Sequence, residues 1–318
     1  MGGVVLGGEP MKVCRSLLTY RDDHPLALEN IRLSSEHVDE THVVADDTYD
    51  EPLLQELRSV IMTGTLTQRT FDDDFVKQCT VHVDIAKESG VDWVVLAGAD
   101  EFFCPELWRD LRSIIDRAEK AGSDVVEVNA RDQFDTGPFT FDLAEAKSFP
   151  VSSRPTDYWK PLICKLWPDF RYTADGYGKC HCSWGSKSHL RRTLRADGYH
   201  YVHRKSRYMV WKSSARNLFM GGGGANIGKR NPYWVLLRNH LKSMNVTTFR
   251  GFEDVLEGGS GRVPDILVDW MNSALLGGPI SGMDSWTVSE IVSTAWLFYL
   301  HHPEFVTPTV RGALEGVS

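Results

Sequence analysis

The sequence predicts an α/β chain: a mostly parallel sheet with flanking helices, followed by a helical C-terminal segment. Three observations carry that expectation. Apolar runs of strand length alternate with amphipathic stretches from residue 12 to residue 129, the pattern of a parallel sheet with crossover helices. The run WVVLA at 93–97 is apolar throughout, as a central strand covered on both faces should be. From residue 204 onward the apolar residues recur at helical spacing.

The elements follow in order. Residues 12–18 (KVCRSLL) form a short strand, and the polar loop TYRDDH follows at 19–24. Residues 26–35 have helical spacing; 41–45 (THVVA) form a second strand that ends in DDTYDE. Residues 52–62 read as a helix. In 71–88, Phe71, Phe75 and Cys79 stand four apart on one helix face, and the acids at 72–74 suit its N-terminus. After the strand at 93–97 comes a helix over 105–120, opened by Pro105 and stopped by Gly122. DVVEVN at 124–129 is a further strand. Residues 131–200 mix turns with short strand candidates such as PLICKLW at 161–167. Helices are expected at 204–219, 232–243, 263–276 and 286–301. The four glycines at 221–224 read as a helix stop and hinge, since no Lys-Ser pair follows them as in a phosphate-binding loop. Trp270, Met271, Trp286, Trp296 and Phe298 read as packing residues. The chain therefore divides into a flexible extension (1–10), an α/β domain (11–215) and a helical segment (216–318).

Bulk properties narrow the class. With 318 residues, 42% of them hydrophobic, the chain can bury a large core. A net charge of −8 argues against a protein that coats nucleic acid non-specifically. The six cysteines lie mostly in apolar contexts and read as reduced, buried thiols. The CHC triplet at 180–182 with His189 lacks the wider cysteine spacing of structural zinc sites. No signal peptide is visible, and STAWLFYL at 293–300 is far too short for a bilayer span. The expected location is cytoplasmic.

Three strand ends carry polar clusters: Thr19-Tyr20-Arg21, Asp46-Asp47 and Asp100-Glu101. In a parallel sheet all three emerge at one edge, where open α/β sheets bind ligands. Arg69, in TQRTF, is near enough in sequence order to reach the same ligand. Between Lys187 and Arg216 nine Lys and Arg face a single acid, Asp197, with Tyr199, Tyr201, Tyr208 and Trp211 interspersed. That stretch suits either diphosphate neutralisation, led by Arg204 and Arg207, or a nucleic-acid track with stacking aromatics.

LTYR (18–21), VVADD (43–47), GADEF (98–102) and HYVHRKS (200–206) occur in an order that resembles the family 2-type nucleotide-sugar glycosyltransferases of GT-A fold. The resemblance covers roughly residues 11–215. It implies that Asp46 or Asp47 accepts a hydrogen bond from the base of a UDP-sugar donor, with Thr19 lining the same pocket. It also implies that Asp100 holds a divalent cation on the diphosphate and that His200 or His203 closes the metal site from the far side. The departure is at Gly98, where the family's first motif Asp stands; it removes a ribose or metal contact. Mg²⁺ or Mn²⁺ typically takes one or two carboxylates plus phosphates, and an imidazole ligand favours Mn²⁺. Attack by an acceptor hydroxyl with inversion needs a general base, for which Asp132 and Asp175 are the candidates. The acceptor is open: protein, glycan, lipid or modified base. Two other readings share such a sheet: a nucleotidyltransferase, whose Gly-rich basic loop TYRDDH lacks, and a binding module without chemistry.

Overall fold

The computed structural model describes residues 11–71, 75–134, 138–149, 154–174, 182–185, 192–220, 232–259, 263–276 and 285–316. In chain order the elements are β1 (Val13–Thr19), α1 (His24–Ser34), β2 (Glu40–Asp46), α2 (Glu51–Val60), β3 (Gly64–Arg69), α3 (Phe75–Glu88), β4 (Trp93–Leu96), β5 (Glu101–Phe103), α4 (Pro105–Ala121), β6 (Val125–Phe134), α5 (Leu143–Lys147), β7 (Arg154–Lys165), β8 (Arg171–Ala174), β9 (Cys182–Gly185) and β10 (Thr193–Lys205). The helices α6 (Arg207–Met220), α7 (Pro232–Ser243), α8 (Phe249–Glu257), α9 (Asp265–Leu275), α10 (Ser285–His301) and α11 (Pro308–Gly316) complete it. A 3₁₀ turn, Arg21–Asp23, joins β1 to α1.

The main sheet has the order β3-β2-β1-β4-β7-β6-β10-β5. Strands β3, β2, β1 and β4 run parallel. Strand β7 runs against both β4 and β6, β10 runs with β6, and β5 runs against β10. The sheet is thus mixed but mostly parallel, with β7 between the apolar strands β4 and β6. All four residues of β4 are buried, as its unbroken apolar run requires. Strand β10 was expected as turns leading into a helix. Its register with β6 slips between Arg195 and His200, and Gly198 there has φ of 86°, a left-handed conformation that glycine adopts without strain.

The two largest apolar clusters among the described residues are distinct. One lies under the sheet, where Trp93, Val95, Trp108, Leu111 and Ile114 pack together. The other belongs to the helices: Trp211, Leu218, Trp234, Phe252, Trp270, Met271 and Phe298, with Trp296 at its margin. The side chain of Trp286 lies outside the described residues. The expected boundary at residue 215 falls inside α6. Tyr208, Trp211 and Ala215 of α6 all belong to the helical core, as does Ala146 of α5. Among the described residues, no helix is long and apolar enough to cross a membrane.

Helix α3 contributes a pH-sensitive element. His82 is 4% exposed, stacks on Tyr172 at 5.7 Å, and neither ring nitrogen has a hydrogen-bond partner. Burial pushes its pKa down to about 4. The folded state therefore keeps His82 neutral where the unfolded chain protonates it, so stability is full above the unfolded pKa and falls as pH drops toward 4. The loss is expected to approach ~3 kcal/mol. Urea unfolding at pH 7 and pH 4.5 checks this: His82→Gln should flatten the slope, and an unchanged slope would contradict it.

Candidate active site

The ends of β1, β2 and β4 lie side by side, since Thr19 pairs with Ala45 and Ser16 with Leu96. The Ala99 amide donates to the Leu18 carbonyl at 3.2 Å, tying the acid-bearing turn to the end of β1. The acids at 46, 47 and 100 therefore share one edge of the sheet.

That turn is held from below. Asn30 of α1 is fully buried, and its amide nitrogen donates to the carbonyls of Glu101 (2.9 Å), Ala99 (3.1 Å) and Gly98 (3.4 Å). The Asn30 side-chain oxygen accepts from Arg15 Nη1 at 2.8 Å, as does its backbone carbonyl. Arg15 is itself buried, 5.3 Å above the Trp108 ring. Burial lowers its pKa to about 9, and the charge on Glu101 works against that.

Asp100 is the centre of the cluster. Its Oδ2 accepts from His203 Nε2 at 2.8 Å and lies 3.3 Å from Lys205 Nζ. Burial favours the neutral carboxyl, yet His203 and Lys205 hold it well below the usual carboxylate range. The Arg204 amide donates to the Asp100 carbonyl at 2.8 Å, fixing β10 to the turn. Glu101 is 3% exposed; it accepts from the Gly98 amide at 2.7 Å and forms an ion pair with Lys160 of β7. It begins β5 instead of serving the start of α4. Gly98 has a steric reason. A Cβ there would stand 2.7 Å from Asp100 Oδ1, so the Asp100 carboxylate fills the space that a side chain at 98 would take.

Around this centre the base-binding candidates form a second cluster. Thr19 and Tyr49 share a 2.7 Å hydrogen bond, and the Tyr49 hydroxyl donates to the Tyr20 carbonyl at 2.9 Å. The Tyr20 ring sits edge-on to Phe71 at 6.0 Å, with its hydroxyl buried and unpaired. Asp46 is 5% exposed and its Oδ1 accepts from Thr48, backbone and hydroxyl. Burial raises its pKa. Asp47 points outward to Arg250 of α8 at 2.9 Å, so the helical segment reaches over this edge. Arg21 pairs with Asp50 at 3.5 Å on the surface. Arg69 ends β3 opposite Asp46 in register.

Sequence reasoning missed several members. Asp23, in the turn after β1, is pushed up to about 7 by burial and by Asp100, with Lys205 acting in the opposite direction. Asp22 and Glu253 of α8 both pair with Lys212 of α6. Lys160 and Lys205 supply the ammonium groups.

Other expectations need correction. The resemblance implies His200 or His203 at the metal site. On a strand, residues an odd number apart point to opposite faces, so only His203 reaches Asp100. Arg204 falls on the His200 face for the same reason; its guanidinium takes both oxygens of Glu29 at 2.9 and 2.8 Å and lies 4.7 Å over Phe102. Lys205 stands at the acid instead. Arg207 is buried against Glu145 and the Pro138 carbonyl. Arg195, Arg204, Lys205, Arg207 and Lys212 of the basic stretch pair with separate acids, and the rings of Tyr201, Tyr208 and Trp211 are buried in the cores. Asp132 lies in β6 opposite His203 in register, but its side chain is outside the described residues, as are Asp175, the glycines at 221–224, Cys180, His181, the Cys182 side chain and His189. The described cysteines, Cys14, Cys79, Cys104 and Cys164, are buried.

No protein-family model matches the chain, and no curated protein matches it. Forty-three solved chains match its course. Residues 1–349 of S. aureus TarS are 15% identical at a TM-score of 0.39, covering 96% of this chain and 91% of that one. A longer S. aureus TarS structure gives 0.36 at 15% identity, with 96% and 55% covered. HddC from Yersinia pseudotuberculosis gives 0.28 at 9% identity, with 49% and 74% covered. All three scores lie below one half, so the functional reading stands on the geometry of this chain alone.

Proposed function

We propose that this chain is a glycosyltransferase of GT-A type that moves a sugar from a nucleotide-sugar donor, a UDP-sugar, to an acceptor hydroxyl. The observation that supports it most is the meeting of Asp100, His203 and Lys205 where β1, β2 and β4 end, beside the Thr19–Tyr49 and Asp46 cluster. The transfer breaks the bond from the anomeric carbon to a diphosphate oxygen and forms one to the acceptor oxygen. Its leaving group is a nucleoside diphosphate, so the site must stabilise developing negative charge.

The residues divide that work. Thr19, Tyr20 and Asp46 line the base end, with Asp47, Arg21 and Arg69 at its rim. Lys205 and Lys160 put ammonium groups beside the acid turn. Asp100 Oδ2 and His203 Nε2 converge to 2.8 Å, a carboxylate–imidazole pair that fits Mn²⁺ or Mg²⁺ drawing its remaining ligands from the diphosphate. Among the described residues no three metal-binding side chains converge; in this reading Asp100 and His203 hold the ion and the diphosphate completes its ligands. Bound there, the ion would act as a Lewis acid on the departing diphosphate. The acceptor approaches from the side of α6 and α8. Its proton passes to a carboxylate, for which Asp132 and Asp175 are the candidates in an inverting reaction.

Thermal shift with UDP, with and without Mn²⁺, tests the reading. Metal-dependent stabilisation by UDP is expected. A preference for CTP would favour a nucleotidyltransferase, and no shift with any nucleotide would favour a binding module. Asp46→Ala should raise the donor KM more than it lowers kcat, because it removes binding common to ground and transition states. Steady-state kinetics showing a fall in kcat alone would contradict that role.

A further inference from the structure

We propose that Lys205 is a mobile counter-ion that couples nucleotide binding to cation binding; this rests on the assignment of Asp100 and His203 as the cation's ligands. Lys205 Nζ lies 3.3 Å from Asp100 Oδ2, the same oxygen that faces His203 Nε2 at 2.8 Å. His203 and Lys205 stand two apart on β10, so the pleat sends both toward the acid turn. The ammonium therefore occupies the oxygen that a divalent cation would need. Two positive groups on one carboxylate oxygen, in a site where the Lys205 and Asp100 side chains are 20% and 16% exposed, repel more strongly than they would in water.

The ammonium has to leave, and the surrounding structure limits where it can go. Strand β10 itself is fixed to the turn by the bond from the Arg204 amide to the Asp100 carbonyl. The side chain is what moves, on a flexible four-carbon stem. Glu101 already holds Lys160, and Asp22 already holds Lys212, which also holds Glu253. Among the described residues Asp23 is a further carboxylate near this cluster, and burial, then the charge on Asp100, disfavours its charged form. An incoming diphosphate is a stronger anion than any of these. It gives Lys205 a partner and frees Asp100 at the same moment. Cation and nucleotide then bind cooperatively, and each raises the affinity for the other by the same factor.

Titration of Mn²⁺, followed by loss of its free-ion electron paramagnetic resonance signal, tests this on the full chain with and without UDP. The native protein is expected to bind Mn²⁺ weakly alone and about 10-fold or more tighter with UDP. Lys205→Met should bind Mn²⁺ alone at least about 5-fold tighter than the native protein and gain less from UDP. Lys205→Arg, which keeps the charge, should stay weak without UDP. A merely structural lysine would not produce tighter metal binding on removal. If Lys205→Met binds Mn²⁺ alone no tighter, while UDP still tightens binding, the coupling role is overturned and the site assignment stands. If no protein binds Mn²⁺ with or without UDP, the site assignment fails and takes the coupling role with it.

Discussion

Asp100→Asn is expected to lower kcat/KM for sugar transfer by about 10³-fold, the scale of several kcal/mol of transition-state charge stabilisation. Asparagine keeps the shape and an oxygen for His203 but removes the charge that holds cation and lysine in place. Asp100→Ala should add a stability loss on the order of 3 kcal/mol, since His203 and Lys205 would face each other without their shared anion. Denaturant unfolding separates the two effects. Asn with near-native stability and absent turnover supports the assignment; Asn with native turnover removes Asp100 from the chemistry.

Asn30→Ala is expected to damage stability and activity together. The substitution strips three carbonyls of the acid turn of their donor and leaves a fully buried Arg15 short of an acceptor. A buried group left unsatisfied costs roughly 1–3 kcal/mol, and more when charged, so a loss of about 3 kcal/mol or more is expected in urea unfolding. Activity should fall even where the variant is fully folded, because Gly98, Ala99 and Glu101 set the position of Asp100. A stability loss under about 1 kcal/mol would show that the turn is held by other means.

The part of the site that was legible is the part built from apolar strands ending in acids. Strands β1, β2 and β4 read directly, and so did Thr19, Asp46 and Asp100 at their ends. Strand β10 did not. TLRADGYHYVHRK contains an Asp-Gly pair, a register slip and many charges, which together resemble turns more than a strand. The consequence was specific. Only a strand's alternation puts His203 and Lys205 on one face and His200 and Arg204 on the other, so without β10 nothing separated His200 from His203 or singled out Lys205. Strand β7 was read only in its second half, as PLICKLW at 161–167; Pro155 and Pro161 interrupt the pattern before it, and Lys160 was missed with that first half. Nothing in the sequence around Asn30 marks it, because its bonds to the acid turn exist only once α1 lies against that turn.

The most direct measurement is the anomalous-scattering position of Mn²⁺ in crystals grown with UDP. The account predicts a peak within roughly 2.3 Å of both Asp100 Oδ2 and His203 Nε2, with the diphosphate on its open side. A peak bound by other side chains, or UDP bound away from the shared end of β1, β2 and β4, would contradict it.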